Sequence, residues 1–182
     1  YNMSKNDIKL NKKEFFMEKN LTLCFTGHRP SKLPWGYDEE TENCKKFKTD
    51  LIELLEKFIE MGFVNFISGM ALGSDMICAE AILILKTKYP FIKLECALPC
   101  FNQQKYWNGE QLHRYKTILD NADKIVYVSK KDYSPHCMLK RNIYMVDKSN
   151  EIIAIWSGKA GGTANTIKYA LSQNKNVKNN QS

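Results

Sequence analysis

The sequence predicts an α/β fold: a Rossmann-like, doubly wound, mostly parallel sheet of about five to seven strands with helices on both faces. Three observations carry this reading. Short apolar runs alternate with longer segments of helical periodicity from residue 21 to residue 173. Glycine or proline marks most of the junctions. A chain of 182 residues with 43% hydrophobic content is enough for one domain with a sizeable core.

Residues 21–26 form an apolar run that ends at Gly27, which reads as a buried strand. Residues 39–61 read as a helix. Phe47, Leu51, Leu54, Leu55 and Phe58 fall at i, i+4, i+7, i+8 and i+11, and Gly62 stops it. Residues 64–68 are the second strand. Ser74 or Asp75 caps the next helix, which reaches about Lys88 and is ended by Pro90. Met76, Ile77, Ala81, Ile82, Leu83, Ile84 and Leu85 make that helix apolar on most sides, so it is expected to be well buried. Residues 92–98 are the third strand, closed by Pro99. Residues 111–121 read as a helix with Leu112, Tyr115, Ile118 and Leu119 inward. Residues 124–128 are the fourth strand, 138–148 a helix and 151–156 the fifth strand. Gly161 and Gly162 open a last helix over 163–173. Residues 1–19, rich in Lys and Asn, read as an N-terminal extension, 20–173 as the domain, and 174–182 as a short edge element and tail.

The formal net charge is +7. Residues 1–19 carry +2 of it and 174–182 another +2, which leaves +3 for the domain. A domain-wide basic face is not implied, but a local basic pocket is compatible with these numbers. No run of about 18 apolar residues is present, so no membrane-spanning helix is expected. The six cysteines include no CxxC pair, and three of them lie inside apolar runs. They read as buried, reduced thiols of a cytoplasmic protein, not as a zinc site.

In a doubly wound sheet, ligands bind beyond the carboxyl ends of the strands. After strand one stands Thr26-Gly27-His28-Arg29-Pro30. Gly27 permits close approach, Arg29 offers a planar fork to phosphate or carboxylate, and His28 donates or accepts near neutral pH. After strand two comes Ser68-Gly69-Met70-Ala71-Leu72-Gly73-Ser74-Asp75, a glycine-containing turn into a helix. It is neither a P-loop nor a GxGxxG turn. Asp75 either caps the helix or hydrogen-bonds a ribose hydroxyl. After strand five, Gly161, Gly162 and Thr163 make a second cradle for an anion, with Asn165 behind them. Gln103 and Trp107, after strand three, are candidates to line the pocket. Arg141 either supplies a further phosphate contact, with Asn142 beside it, or faces solvent.

These pieces, in this order, resemble a known family. TGHRP at 26–30, SGMALGSD at 68–75, PCFNQQKYW at 99–107, KRNIYMVD at 140–147 and GGTANTIKYA at 161–170 are similar to the small YpsA-like proteins of the SLOG superfamily. That superfamily takes its name from the Smf/DprA and LOG proteins, and the YpsA-like branch is common in Firmicutes and their phages. The resemblance spans about residues 21–173. It implies a Rossmann-like sheet, a nucleotide-derived ligand and, by analogy, a homodimer or higher oligomer. It places Gly69, Gly73 and Asp75 in the family's second turn and Gly161, Gly162 and Thr163 in its phosphate loop. LOG enzymes carry a catalytic Glu in that loop. Here Asn165 and Thr166 stand in the first turn of the helix, and no Glu does.

Three functions are therefore expected to compete. The first is binding, by sensing or sequestering, of an ADP-ribose-like, NAD-like or nucleoside monophosphate ligand, with no cofactor and no metal required. The second is a LOG-like phosphoribohydrolase with Asp75 or Glu80 as its acid or base. The third is nucleic-acid binding of DprA type through Arg29, Arg141 and the Lys-rich ends.

Overall fold

The computed structural model describes residues 19–134 and 136–180. The extension read over 1–19 lies outside them except for Lys19. Six strands form one sheet: β1 (Leu21–Gly27), β2 (Phe63–Ser68), β3 (Lys93–Leu98), β4 (Lys124–Tyr127), β5 (Glu151–Ile155) and β6 (Asn176–Asn179). Every pairing is parallel, in the order β4-β3-β2-β1-β5-β6. The fold is the Rossmann-like α/β sandwich expected from the sequence. β6 lies within the stretch read as an edge element and tail.

Parallel strands need crossovers, and five helices supply them. α1 (Glu42–Glu60), α2 (Ser74–Lys88) and α3 (Gly109–Asn121) cover one face. α4 (Cys137–Lys148) and α5 (Gly162–Ser172) cover the other. The larger core lies under α1–α3, where Leu51, Leu55, Ile59, Phe66, Ile77 and Leu94 are fully buried. The smaller one packs Cys24, Ile67, Met145, Val146 and Ile152 beneath α4 and α5. All six cysteines are buried free thiols. Among the described residues, no helix is long and apolar enough to cross a membrane.

Capping sets the helix ends. Thr41 accepts from the Cys44 N–H at 3.3 Å and starts α1 three residues later than the apolar spacing suggests. Asn108 and Gln111 form a reciprocal capping box on α3. Neither Ser74 nor Asp75 caps α2, contrary to expectation. Its N-cap is Gly73, and Ser74 Oγ instead donates to the His28 carbonyl at 3.0 Å. Two apolar readings also need correction. Ile84 is 56% exposed, because the outer side of α2 borders an open groove with α1 and α3. Leu112 is 39% exposed, because α3 turns only Tyr115 and Ile118 fully inward.

Two features of this topology position the site. β1–β4 run to one side of the sheet and β5–β6 to the other, so the strand order reverses between β1 and β5. A crevice opens at that switch point, beyond the carboxyl ends of the two strands. In addition, α4 returns the chain from β4 to β5 across the second face. Its first turns therefore reach the loops that follow β1 and β2.

Candidate functional site

The crevice holds a cleft of about 190 Å³. Gly27, His28 and Arg29 enter it from the end of β1, and Lys32 from the 3₁₀ turn Pro30–Lys32 that follows. Lys159 and Gly161 enter from the loop between β5 and α5, and Gly162 and Thr163 from the first residues of α5. Asp75 lies at the start of α2, and Met138, Arg141 and Asn142 project from α4. Three separate strand ends thus meet in one depression.

The floor is a buried ion pair. Arg141 Nη1 stands 3.5 Å from Asp75 Oδ2, and both side chains are more than 90% buried. Arg141 also donates to the Gly69 carbonyl. The Ala71 N–H donates to Asp75 Oδ2 at 3.3 Å, and Ser68 Oγ donates to the Asp75 carbonyl at 2.8 Å. Burial pushes the Asp75 carboxyl above its usual range, and the Arg141 and Arg29 charges counter that only in part. Burial likewise works against the Arg141 charge.

Glycine is required around this pair. A Cβ on Gly69 would fall on the Arg141 guanidinium and 2.7 Å from Asp75 Oδ2. At Gly73, φ is +90°, and a Cβ would stand 2.7 Å from the His28 carbonyl oxygen. Gly73 lets the β2–α2 turn pass against the β1 turn, and Gly69 makes room for the Arg141 guanidinium. They build the floor and do not touch the cleft.

The wall is cationic. Arg29, Lys32 and Lys159 are exposed at the mouth. Among the described residues, neither the Arg29 nor the Lys159 side chain has a carboxylate partner. Lys32 Nζ reaches the Ala160 carbonyl at 3.4 Å and lies 3.2 Å from where a Gly161 Cβ would be. Its ammonium therefore sits over the start of α5. There the N–H groups of the helix's first turn lack intrahelical partners, and the helix dipole favours negative charge. Nothing stands within 4 Å of a Cβ built on Gly162, so the backbone is open to a ligand.

His28 is held as an acceptor. Its Nε2 accepts from the Ser157 N–H at 3.0 Å and lies 2.9 Å from Ser157 Oγ. A backbone N–H can only donate, so this contact assigns the ring proton to Nδ1. Burial, Lys32 and Lys159 hold its pKa below the ordinary histidine value of 6.5. Between the folded value and 6.5 the unfolded chain binds the proton and the native state does not. The contribution is fully present above about pH 6.5 and is lost as pH falls toward the folded value. Urea midpoints are therefore expected to fall between pH 7.5 and 5.5. His28→Gln keeps an acceptor for Ser157, and its midpoints are expected to fall less. Equal slopes in the two proteins would contradict the assignment.

The candidates from sequence divide into two groups. Gly27, His28, Arg29, Asp75, Arg141, Asn142, Gly161, Gly162 and Thr163 line the cleft together. Ser68, Gly69, Met70, Gly73, Gln103 and Asn165 do not. Ser68, Gly69 and Gly73 hold the floor as described. Met70 is fully buried in the main core at φ +55°. Gln103 donates to the Met70 carbonyl and the Tyr115 hydroxyl, both at 3.3 Å, and so ties a loop to the domain. Trp107 packs edge-on against Tyr115. Asn165 is exposed on the outer side of α5. Arg141 does not face solvent, and Asn142 bridges it to Thr166: Asn142 Oδ1 accepts from Arg141 Nε, and Asn142 Nδ2 donates to Thr166 Oγ1, both at 2.8 Å. Glu80 is removed as an acid or base for this cleft. Arg114 binds both its oxygens at 2.6 Å, on the α1–α3 face. Lys32 and Lys159 are the cations that sequence reasoning missed. Their signal was the continuation of TGHRP into SK and the Lys before the paired glycines.

Comparison with known proteins adds family and fold. Residues 23–182 match the YspA SLOG family, YpsA. The SPbeta prophage-derived protein YoqJ of Bacillus subtilis is 37% identical over 137 residues, 69% of this chain and 80% of that protein. A UPF0398 protein of Bacillus pumilus is 26% identical over 156 residues, 85% of this chain and 81% of its own. Among solved structures, DNA processing protein A of Helicobacter pylori is similar with a TM-score of 0.61 at 21% identity. The match covers 91% of this chain and 67% of that one, and the work on that protein concerns its single-stranded DNA binding mode. DprA of Streptococcus pneumoniae matches at TM-score 0.61 and 14% identity, and this chain spans half of it. At these identities the structural likeness is one of fold.

Proposed function

The chain belongs to the YspA SLOG family, and on that premise we propose that it binds a nucleotide-derived, phosphate-bearing small molecule at the β1/β5 switch point. Membership of this family and a DprA-like fold support nucleotide- or nucleic-acid-related work. One observation carries the finer reading: Arg29, Lys32 and Lys159 converge on the open N-terminus of α5, and the one carboxylate that lines the cleft among the described residues is already paired with Arg141. Cations without carboxylate partners beside bare N–H groups suit a phosphate. A cleft of about 190 Å³ is smaller than the roughly 300–1,000 Å³ of drug-sized sites. It takes the sugar-phosphate end, and the base extends outward.

Thermal shift tests this with AMP, ADP-ribose and NAD at millimolar concentration. Saturation to about 100 times Kd adds about 2.7 kcal/mol. In a domain of this size that raises Tm by roughly 5–10 °C. If none of the three shifts Tm, the proposal fails.

A second reading, hydrolysis of the N-glycosidic bond, is favoured by one feature. Asp75 is a cleft carboxyl held above its usual pKa, as a general acid needs. Free adenine released from AMP or nicotinamide from NAD, and lost in Asp75→Asn, would establish it.

A further inference from the structure

We propose that the loops following β3 and β4 form a stacking platform for single-stranded nucleic acid, separate from the cleft. Five aromatic side chains stand out among the exposed large hydrophobics of the described residues, and four of them sit in these loops or at the end of β4: Phe101 (48%), Tyr106 (89%), Tyr127 (40%) and Tyr133 (60%). An exposed apolar cluster of this kind marks an interaction surface more often than isolated rings do.

The two loops are one unit. The Phe101 and Tyr127 rings lie 5.0 Å apart. The Phe101 N–H donates to the Lys131 carbonyl at 3.2 Å, and the Tyr133 N–H to Asn102 Oδ1 at 2.8 Å. Gln103 anchors the first loop to the domain through the Met70 carbonyl. The rings are thus displayed on a braced support.

Charge selects the occupant. Residues 99–107 and 128–134 carry three lysines against one aspartate. Lys105 Nζ lies 5.5 Å above the Tyr106 ring. Exposed rings interleaved with lysines fit bases and phosphates together, and every base offers a stacking face. A two-fold contact with a second copy would instead bring like-charged loops together. An unpaired strand suits the surface because its bases are free to stack.

The platform does not depend on what the cleft binds. Fluorescence anisotropy with labelled 20-mers of oligo-dT and oligo-U tests it, the two arms separating DNA from RNA. Binding of either is expected and should weaken steeply between 50 and 200 mM salt. Phe101→Ala with Tyr133→Ala should weaken it about tenfold or more, and Phe101→Tyr should retain it. Unchanged circular dichroism shows that the variants fold. No binding of either oligomer, or binding that the alanine variants leave intact, overturns the proposal. So does full displacement of the oligomer by AMP, which would place it in the cleft. Loss of self-association in the alanine variants, with oligomer affinity unchanged, also overturns it and makes the surface a protein contact.

Discussion

Replacing Arg29 and Lys159 together by alanine is expected to weaken nucleotide binding by roughly 100- to 10,000-fold. Each hydrogen bond from a charged donor contributes about 1.5–3 kcal/mol, and two are removed. Both side chains are exposed at the mouth of the cleft and have no carboxylate partner among the described residues, so the fold loses little. Their removal also relieves the repulsion that Lys159 exerts on a protonated His28. The ligand-free variant should therefore unfold within about 0.5 kcal/mol of the parent. Titration calorimetry with AMP checks the first part and urea denaturation the second. A variant that binds AMP as the parent does would show that the phosphate lies elsewhere.

Asp75→Ala is expected to act in the opposite way, on the fold first. It leaves the Arg141 charge buried beside Gly69 with its carboxylate gone. Breaking one side of a buried pair costs about 3–5 kcal/mol, a large part of the 5–15 kcal/mol that holds a typical domain together. The Ala71 N–H loses its acceptor as well. Removing both partners, with Asp75→Leu and Arg141→Met, should recover much of the loss, because no unpaired charge remains. The urea midpoint should drop in the single variant and rise again in the double one, at unchanged slope. A loss below about 1 kcal/mol in Asp75→Ala would mean that the pair is not what holds the cleft floor.

Much of the fold was legible because alternation of short apolar runs with helical spacing leaves few architectures. The errors came where capping or tertiary contact overrides pattern. Thr41 moves the start of α1, and Gly73 takes the capping position that Ser74 gives up to bond the His28 carbonyl. The strand-end rule found Gly27, His28 and Arg29, which end or directly follow an apolar run, and Gly161 to Thr163, because paired glycines stand between a strand and a helix. It could not separate cleft from support. Gly69 and Gly73 look like a phosphate turn in sequence, yet they are glycines because Arg141 and the β1 turn pass against them. Its place after strand three points Gln103 to the pocket, whereas Met70 and Tyr115 hold its amide nitrogen. The order of strands is not written locally in any segment. Hence neither the β1/β5 reversal nor the meeting of Lys32 with Lys159 was visible before folding.

A cleft built for phosphate must distinguish a nucleotide from its nucleoside. Isothermal titration of the full chain with AMP and with adenosine, at one pH and salt concentration, tests this most directly. AMP should bind, and adenosine should bind at least 100-fold more weakly, because the cations and the α5 N–H groups meet only the phosphate. Equal affinity for the two, or tighter binding of adenosine, would contradict it.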